Sequence, residues 1–119
     1  MKRTVRSHFL AMRASARFGR ATKLRDAGKR ADALKVARET LAILGHPHVL
    51  RLNPAEGSVL CCATVLVEEL ANELEVPGAS HRDIVDALRF IRAVGPGSDL
   101  THWIPHLEQR ATQSGESAA

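Results

Sequence analysis

Aromatic residues are scarce in this chain, and their scarcity excludes one kind of binding site. Among 119 residues there are three Phe, one Trp and no Tyr, or 3% in all. Proteins that bind single-stranded nucleic acid by stacking use platforms of aromatic side chains, and this sequence has too few for one. The core must therefore be built from aliphatic residues and Ala, which favours closely packed helices.

Cysteine and long apolar runs are also scarce. The two cysteines, Cys61 and Cys62, are adjacent, so they form neither a disulfide framework nor a zinc motif. We interpret them as reduced core residues, which predicts a cytoplasmic protein. No apolar run reaches the roughly 20 residues of a membrane span, so we expect no membrane partner. The N-terminus lacks the hydrophobic stretch of a secretory signal, although its Arg-rich composition is similar to that of a mitochondrial presequence.

Positive charge is concentrated in the first third of the chain. Residues 1–38 contain twelve Lys and Arg but only two acids, for a charge of +10, whereas the remainder carries −6. Such asymmetry is typical of proteins that bind nucleic acid, membranes or acidic partners. The alternative is that the two parts of the chain neutralise each other within the fold.

A predicted helix over residues 53–76 organises the rest of the chain. Asn53 is a suitable N-cap, Pro54 suits the first helical position, and the run from Ser58 to Val67 is almost entirely apolar. We expect this first half to form the core. The second half carries an acidic surface, consisting of Glu68, Glu69, Glu73 and Glu75. Carboxylates are unfavourable at the C-terminal end of a helix, so we expect a cation from the first helix or from a partner to compensate.

Capping signals and apolar spacing predict an all-α fold of about five helices. The other helices are predicted over residues 4–27, 31–44 and 81–94, with a short last helix that starts near Ser98 and is interrupted by Pro105. Short turns predict two stacked antiparallel helical hairpins plus a short C-terminal capping helix. We expect a single domain over residues 1–112 and a disordered tail over 113–119.

The ends and faces of these helices are also predicted. Gly28 is expected to end the first helix in the left-handed conformation, and Ser80 with Asp83 resembles a capping box before the fourth. Lys35 and Glu39 form an i,i+4 pair on the outside of the second helix. The apolar stripes expected to face the core are Leu34, Ala37, Leu41 and Leu44 in the second helix, and Ile84, Ala87, Leu88, Ile91 and Val94 in the fourth.

The first hairpin resembles a tetratricopeptide repeat. Between residues 14 and 47, small and apolar residues stand at the positions where that repeat has them: Ala21, Leu24, Gly28, Ala33, Leu34, Ala37 and Leu41. The early Trp and the middle Tyr of the repeat are absent. A weak internal similarity to this hairpin occurs at residues 86–92, where Asp86-Ala87-Leu88 matches Asp32-Ala33-Leu34. The resemblance implies a protein-binding scaffold and gives no catalytic residues to transfer.

An arginine ridge on the first helix is the main candidate for function. Arg6, Arg13, Arg17 and Arg20 fall within a stripe about 60° wide at helical periodicity. We expect a non-catalytic adaptor that binds an acidic protein partner through this ridge, with Phe9 and Met12 as apolar anchors. The alternative is a nucleic-acid-binding protein whose ridge contacts the phosphate backbone. Either function is compatible with a monomer or a homodimer.

Several histidines raise the question of a metal site. Asp99, His102 and His106 have a spacing that would place three ligands on one helical face, and His46 and His48 are two further candidate ligands. Pro105 disrupts the helix that would align the first three. We therefore predict no metal and no cofactor. The chain has no phosphate-binding Gly-rich loop and no nucleophile elbow, so we also predict no enzymatic activity.

Overall fold

A computed structural model describes residues 2–44, 54–94 and 102–118, with side chains described over residues 12–44, 57–93 and 102–113. These ranges contain five helices: α1 (Lys2–Asp26), α2 (Arg30–Leu44), α3 (Pro54–Leu74), α4 (His81–Val94) and α5 (Ile104–Ala118). They contain no strand, so the predicted all-α class is confirmed. No helix within them is long and apolar enough to cross a membrane.

α1 and α2 form the first antiparallel hairpin. α1 ends in a Schellman motif, in which Gly28 (φ 81°) donates to Arg25 O at 2.9 Å and Lys29 donates to Leu24 O at 2.9 Å. The predicted glycine cap is therefore confirmed. α1 packs through Ala14 and Ala21, both fully buried. Small side chains at these contacts let the helices lie close together.

α3 and α4 form the second antiparallel hairpin. Near one end of the pair Gly57 of α3 faces the ring of Phe90, and further along Cys61 Sγ donates to Ala87 O at 3.6 Å. Ser80 caps α4, because its Oγ accepts from the Asp83 N–H at 3.2 Å and donates to the Asp83 carboxylate at 2.9 Å. The capping box predicted from this pair is therefore present.

The core runs between the two hairpins and is centred on α3, which contacts α1, α2 and α4. The predicted stripe of α2 is buried throughout, as are the described members of the α4 stripe; together they are Leu34, Ala37, Leu41, Leu44, Ile84, Ala87, Leu88 and Ile91. Both cysteines are free thiols. Burial, with the neighbouring Cys62, raises the pKa of Cys61 to about 12, so this thiol is an inert core group.

α5 packs against α4 as a terminal helix. Its Leu107 is fully buried, and Glu108 pairs with Arg92 of α4. Pro105 lies in the first turn of α5 and does not interrupt it, since the N–H that proline lacks has no intrahelical partner there. The predicted start near Ser98 lies outside the described residues. At its other end α5 continues to Ala118, over the segment for which the sequence predicted a disordered tail.

Candidate functional site: a basic groove on the first hairpin

The described part of the arginine ridge lies on the surface of α1. Arg13, Arg17 and Arg20 are exposed, and Met12 beside them is 59% exposed. Arg6 and Phe9 lie within α1, but their side chains fall outside the described range. The face of α1 that packs on the protein is the one with Ala14 and Ala21. Arg13, Arg17, Arg20 and Met12 are therefore available to a partner.

Part of the ridge forms one wall of a groove between α1 and α2. The groove has a volume of about 430 Å³. Its cations come from both helices and the turn between them: Arg17, Arg20, Lys29 and Lys35. Leu24 and the buried Val36 add apolar surface. The antiparallel hairpin thus brings cations separated in sequence to a single concave surface.

Two acids reduce the positive charge of this groove. Asp32 and Glu39 of α2 also line it, so that its lining side chains carry a formal charge of +2. Glu39 pairs with Arg17 at 3.5 Å, and both side chains are more than 40% exposed. An ion pair this exposed contributes no more than about 1 kcal/mol. Arg20, like Arg13, forms no ion pair with any residue that the structure describes.

The acidic end of α3 is neutralised by cations outside the ridge. Arg25, one turn beyond the ridge on α1, lies 3.5 Å from Glu69, and Arg30 at the start of α2 lies 2.7 Å from Glu73. The sequence predicted that a cation from the first helix or from a partner would compensate these carboxylates. The first helix does so at Glu69 through Arg25, and α2 supplies Arg30 for Glu73. Arg13 and Arg20 therefore take no part in neutralising the acids of α3.

Glu75 differs from the other acids because it ends α3. Its φ is 56°, and it is the exposed left-handed residue of a second Schellman motif. Its N–H donates to Asn72 O at 3.3 Å, and the N–H of Val76 donates to Ala71 O at 3.0 Å. The predicted helix through Val76 is therefore too long by two residues.

The prediction of a surface acid is wrong for Glu68, which is 4% exposed. Its Oε1 accepts from Arg110 Nε at 2.7 Å and lies 3.0 Å from His106 Nε2, while its Oε2 accepts from the Ala79 N–H at 2.8 Å. Burial raises the pKa of Glu68. The three hydrogen bonds and the charge of Arg110 outweigh burial, so its pKa lies below the ordinary value. Glu68 is an internal link to α5, and no partner can reach it.

Glu68 is buried because it continues the apolar face of α3. It stands one turn from Thr64 and from Ala71, both of which are buried. The sequence did carry this signal, since residues at i−4 and i+3 share its face. Identification of the compensating cation required the fold, because Arg110 is 42 residues away.

The histidines do not form a metal site in the described part of the chain, where no three His, Cys, Asp or Glu side chains converge. His102 and His106 instead flank the ring of Trp103, at centroid distances of 5.9 and 5.3 Å. The other proposed ligands, His46, His48 and Asp99, lie outside the described residues.

Sequence reasoning missed the contribution of α2 to the groove. The sequence predicted that Lys35 pairs with Glu39 on the outside of α2, and Lys29 was expected only to flank the ridge. The structure pairs Glu39 with Arg17 and places Lys29 and Lys35 on the groove wall.

Comparison with protein-family models, curated proteins and solved structures found no match to this chain, so the tetratricopeptide resemblance stays a prediction.

Proposed function

We propose that the protein is a non-catalytic adaptor that binds an acidic protein partner through the first hairpin. The observation that carries this proposal is the availability of Arg13 and Arg20, which are exposed and form no ion pair with the described residues. The nearby acids of α3 have their own cations in Arg25 and Arg30. Unpaired guanidinium groups on a rigid helix bind carboxylates with two parallel hydrogen bonds.

The shape of the surface supports the same proposal. Met12 adds an exposed apolar side chain on α1, and the groove adds a concave surface beside the ridge. Apolar anchors surrounded by charged side chains are typical of protein interfaces. The tetratricopeptide resemblance of residues 14–47 also favours protein binding. The reduced state of both cysteines is compatible with the cytoplasmic location that we propose.

The alternative function is binding of a nucleic-acid backbone. The same two arginines favour it, since exposed Arg side chains in a row contact successive phosphates. The ridge offers no Asn or Gln for reading base edges, so such binding would not discriminate between sequences. The acids Asp32 and Glu39 beside the ridge oppose it, because they would repel the backbone.

Both functions can be tested with defined probes. We expect the double variant Arg13→Ala/Arg20→Ala to bind fluorescein-labelled polyglutamate about fivefold to thirtyfold more weakly than the wild type, since each exposed contact between opposite charges is worth about 0.5–1 kcal/mol. The control is Arg82→Ala/Arg89→Ala, which removes two exposed charges of α4, away from the ridge. Fluorescence anisotropy gives the affinities, and circular dichroism shows whether helicity is kept.

The outcomes separate the proposals. Equal weakening in the two double variants would mean that binding follows net charge, which contradicts a role for the ridge. Tighter binding of a single-stranded oligonucleotide than of polyglutamate, with a steep loss between about 50 and 200 mM salt, would favour the nucleic-acid function.

A further inference from the structure

The groove between α1 and α2 combines charge with apolar surface in a way that an arginine ridge alone does not. Arg17 and Arg20 lie on its α1 side, and Leu24 follows them along the same helix. Val36 lies on the α2 side, is 6% exposed and is flanked in sequence by Lys35. A ligand in this groove would contact cations and an aliphatic surface together.

We propose that this groove is a subsite for an acidic peptide segment that carries an aliphatic side chain between its carboxylates. The aliphatic side chain would contact Leu24 and Val36, and the flanking carboxylates would pair with Arg20 and the lysines. This inference rests on the proposed function and adds to it the chemistry of the partner. A volume of about 430 Å³ lies within the range of ligand sites and is sufficient for one such side chain with its neighbours.

The acids of the groove discriminate between a peptide and a nucleic acid. A strand of nucleic acid places a negative charge about every 3.4 Å, so it could not follow the groove without approaching Asp32 or Glu39. A peptide can present carboxylates to the cations and an uncharged or basic residue to these two acids. The described residues that line the groove also include no aromatic ring on which a base would stack.

The Arg17–Glu39 pair does not close the groove to such a peptide. Its atoms are 3.5 Å apart and both side chains are well exposed, so the pair is held weakly. A carboxylate of the peptide can replace Glu39 on Arg17 while Glu39 returns to water. Arg20 has no ion-pair partner among the described residues, so its contact with the peptide adds directly to affinity.

The test uses the full chain and a labelled peptide in which a leucine is flanked on each side by glutamates. We expect Arg20→Glu to weaken binding by more than about tenfold, because it replaces an attraction with a repulsion. The matched control is Arg89→Glu, which makes the same charge change on the exposed surface of α4, a helix that does not line the groove. It should weaken binding by less than about threefold, as expected for a screened distant charge.

The peptide supplies the second half of the test. Replacement of its leucine by serine should weaken binding about fivefold to tenfold, because the groove buries part of the leucine. Replacement of its glutamates by glutamines should remove most of the binding. A single-stranded oligonucleotide of equal charge should bind more weakly than the peptide.

Each remaining result would overturn the inference. If the leucine has no effect, or Arg89→Glu acts as strongly as Arg20→Glu, the groove is not the subsite. The adaptor function still stands if Arg13→Ala/Arg20→Ala weakens polyglutamate binding. If no acidic probe binds, both proposals fail. If the oligonucleotide binds more tightly, the occupant is a nucleic acid. If ultracentrifugation shows a dimer that the peptide dissociates, the occupant is a second copy of the chain.

Discussion

At the scale of single residues, two helices end in the same motif but with different residues. Gly28 and Glu75 each take the left-handed conformation, with φ of 81° and 56°. In each case the N–H groups of this residue and the next bond back to the last turn of the helix. The left-handed conformation costs a residue with a Cβ about 1–2 kcal/mol, whereas glycine adopts it freely. α1 therefore ends without strain, and α3 does not.

This difference makes a prediction for Glu75. We expect Glu75→Gly to increase the free energy of unfolding by about 0.5–1 kcal/mol, less than the full strain because glycine also makes the unfolded chain more flexible. Loss of an exposed carboxylate near the C-terminal end of α3 acts in the same direction. Urea unfolding followed by circular dichroism measures the change.

Glycine to alanine substitutions in α1 are the controls for this prediction. Gly28→Ala should lower the free energy of unfolding by about 1 kcal/mol through backbone strain alone, since an added Cβ would meet no atom within 4 Å. Gly19 lies in the interior of α1, and a Cβ there would also meet no atom within 4 Å. Gly19→Ala should therefore raise the free energy of unfolding, because alanine has the higher helix propensity. A destabilised Glu75→Gly variant would show that the carboxylate has a role that outweighs the strain.

At the scale of helices, the approach of α3 to α4 depends on a glycine. A Cβ added at Gly57 would overlap the ring of Phe90, which is 8% exposed and belongs to the core. Alanine normally favours a helix over glycine by about 1 kcal/mol. Here the overlap opposes that preference, so the sign of the change in stability reports directly on the packing of the two helices.

We therefore expect Gly57→Ala to lower the free energy of unfolding by about 1–3 kcal/mol, as overpacked cores do. Adding Phe90→Leu should restore part of this loss, because the smaller side chain leaves room for the new methyl group. The double-mutant cycle, measured by chemical denaturation, should give a coupling of at least about 0.5 kcal/mol. Additive effects, or a stabilised single variant, would contradict the packing of Gly57 on Phe90.

Helices and their buried faces followed from local sequence, because caps and apolar spacing act within a few residues. Ser80 and Asp83 marked the start of α4, and the Leu34 to Leu44 stripe marked the inner face of α2. Local sequence could not determine pairings between distant residues. Arg17 and Arg20 were correctly placed on one stripe, but the crossing of α1 and α2 determines that Lys35 joins them in a groove.

At the scale of the whole molecule, Glu68 connects three parts of the fold. It lies on α3, binds the backbone of the turn before α4 through Ala79, and binds α5 through His106 and Arg110. Arg110 also donates to Ala79 O at 3.1 Å. Gly78 leaves the space that the carboxylate occupies, since a Cβ there would overlap Glu68 Oε2. The buried charge of Glu68 therefore helps to position α5, together with the buried Leu107 and the Arg92–Glu108 pair.

This connection predicts how stability depends on pH. The pKa of Glu68 is lower in the folded protein than in the unfolded chain, where it is about 4.3. Such a group stabilises the fold above its unfolded pKa, and the contribution is lost as pH falls through the folded pKa. We expect Glu68→Gln to lower the free energy of unfolding by about 2–3 kcal/mol at neutral pH, because it leaves Arg110 and His106 without their carboxylate. The difference from the wild type should shrink below about pH 4.

The single tryptophan allows this prediction to be followed at α5 itself. The ring of Trp103 lies edge-on to that of His106, at 5.3 Å, so its fluorescence reports on the contact between α5 and Glu68. The control is Glu73→Gln, which removes an acid whose pair with Arg30 is exposed and should cost less than about 1 kcal/mol. A wild type and a Glu68→Gln variant that lose stability in parallel on acidification would contradict the prediction. Convergence of the two curves in acid, with Glu73→Gln parallel to the wild type, would identify Glu68 as the charge that holds α5 in place.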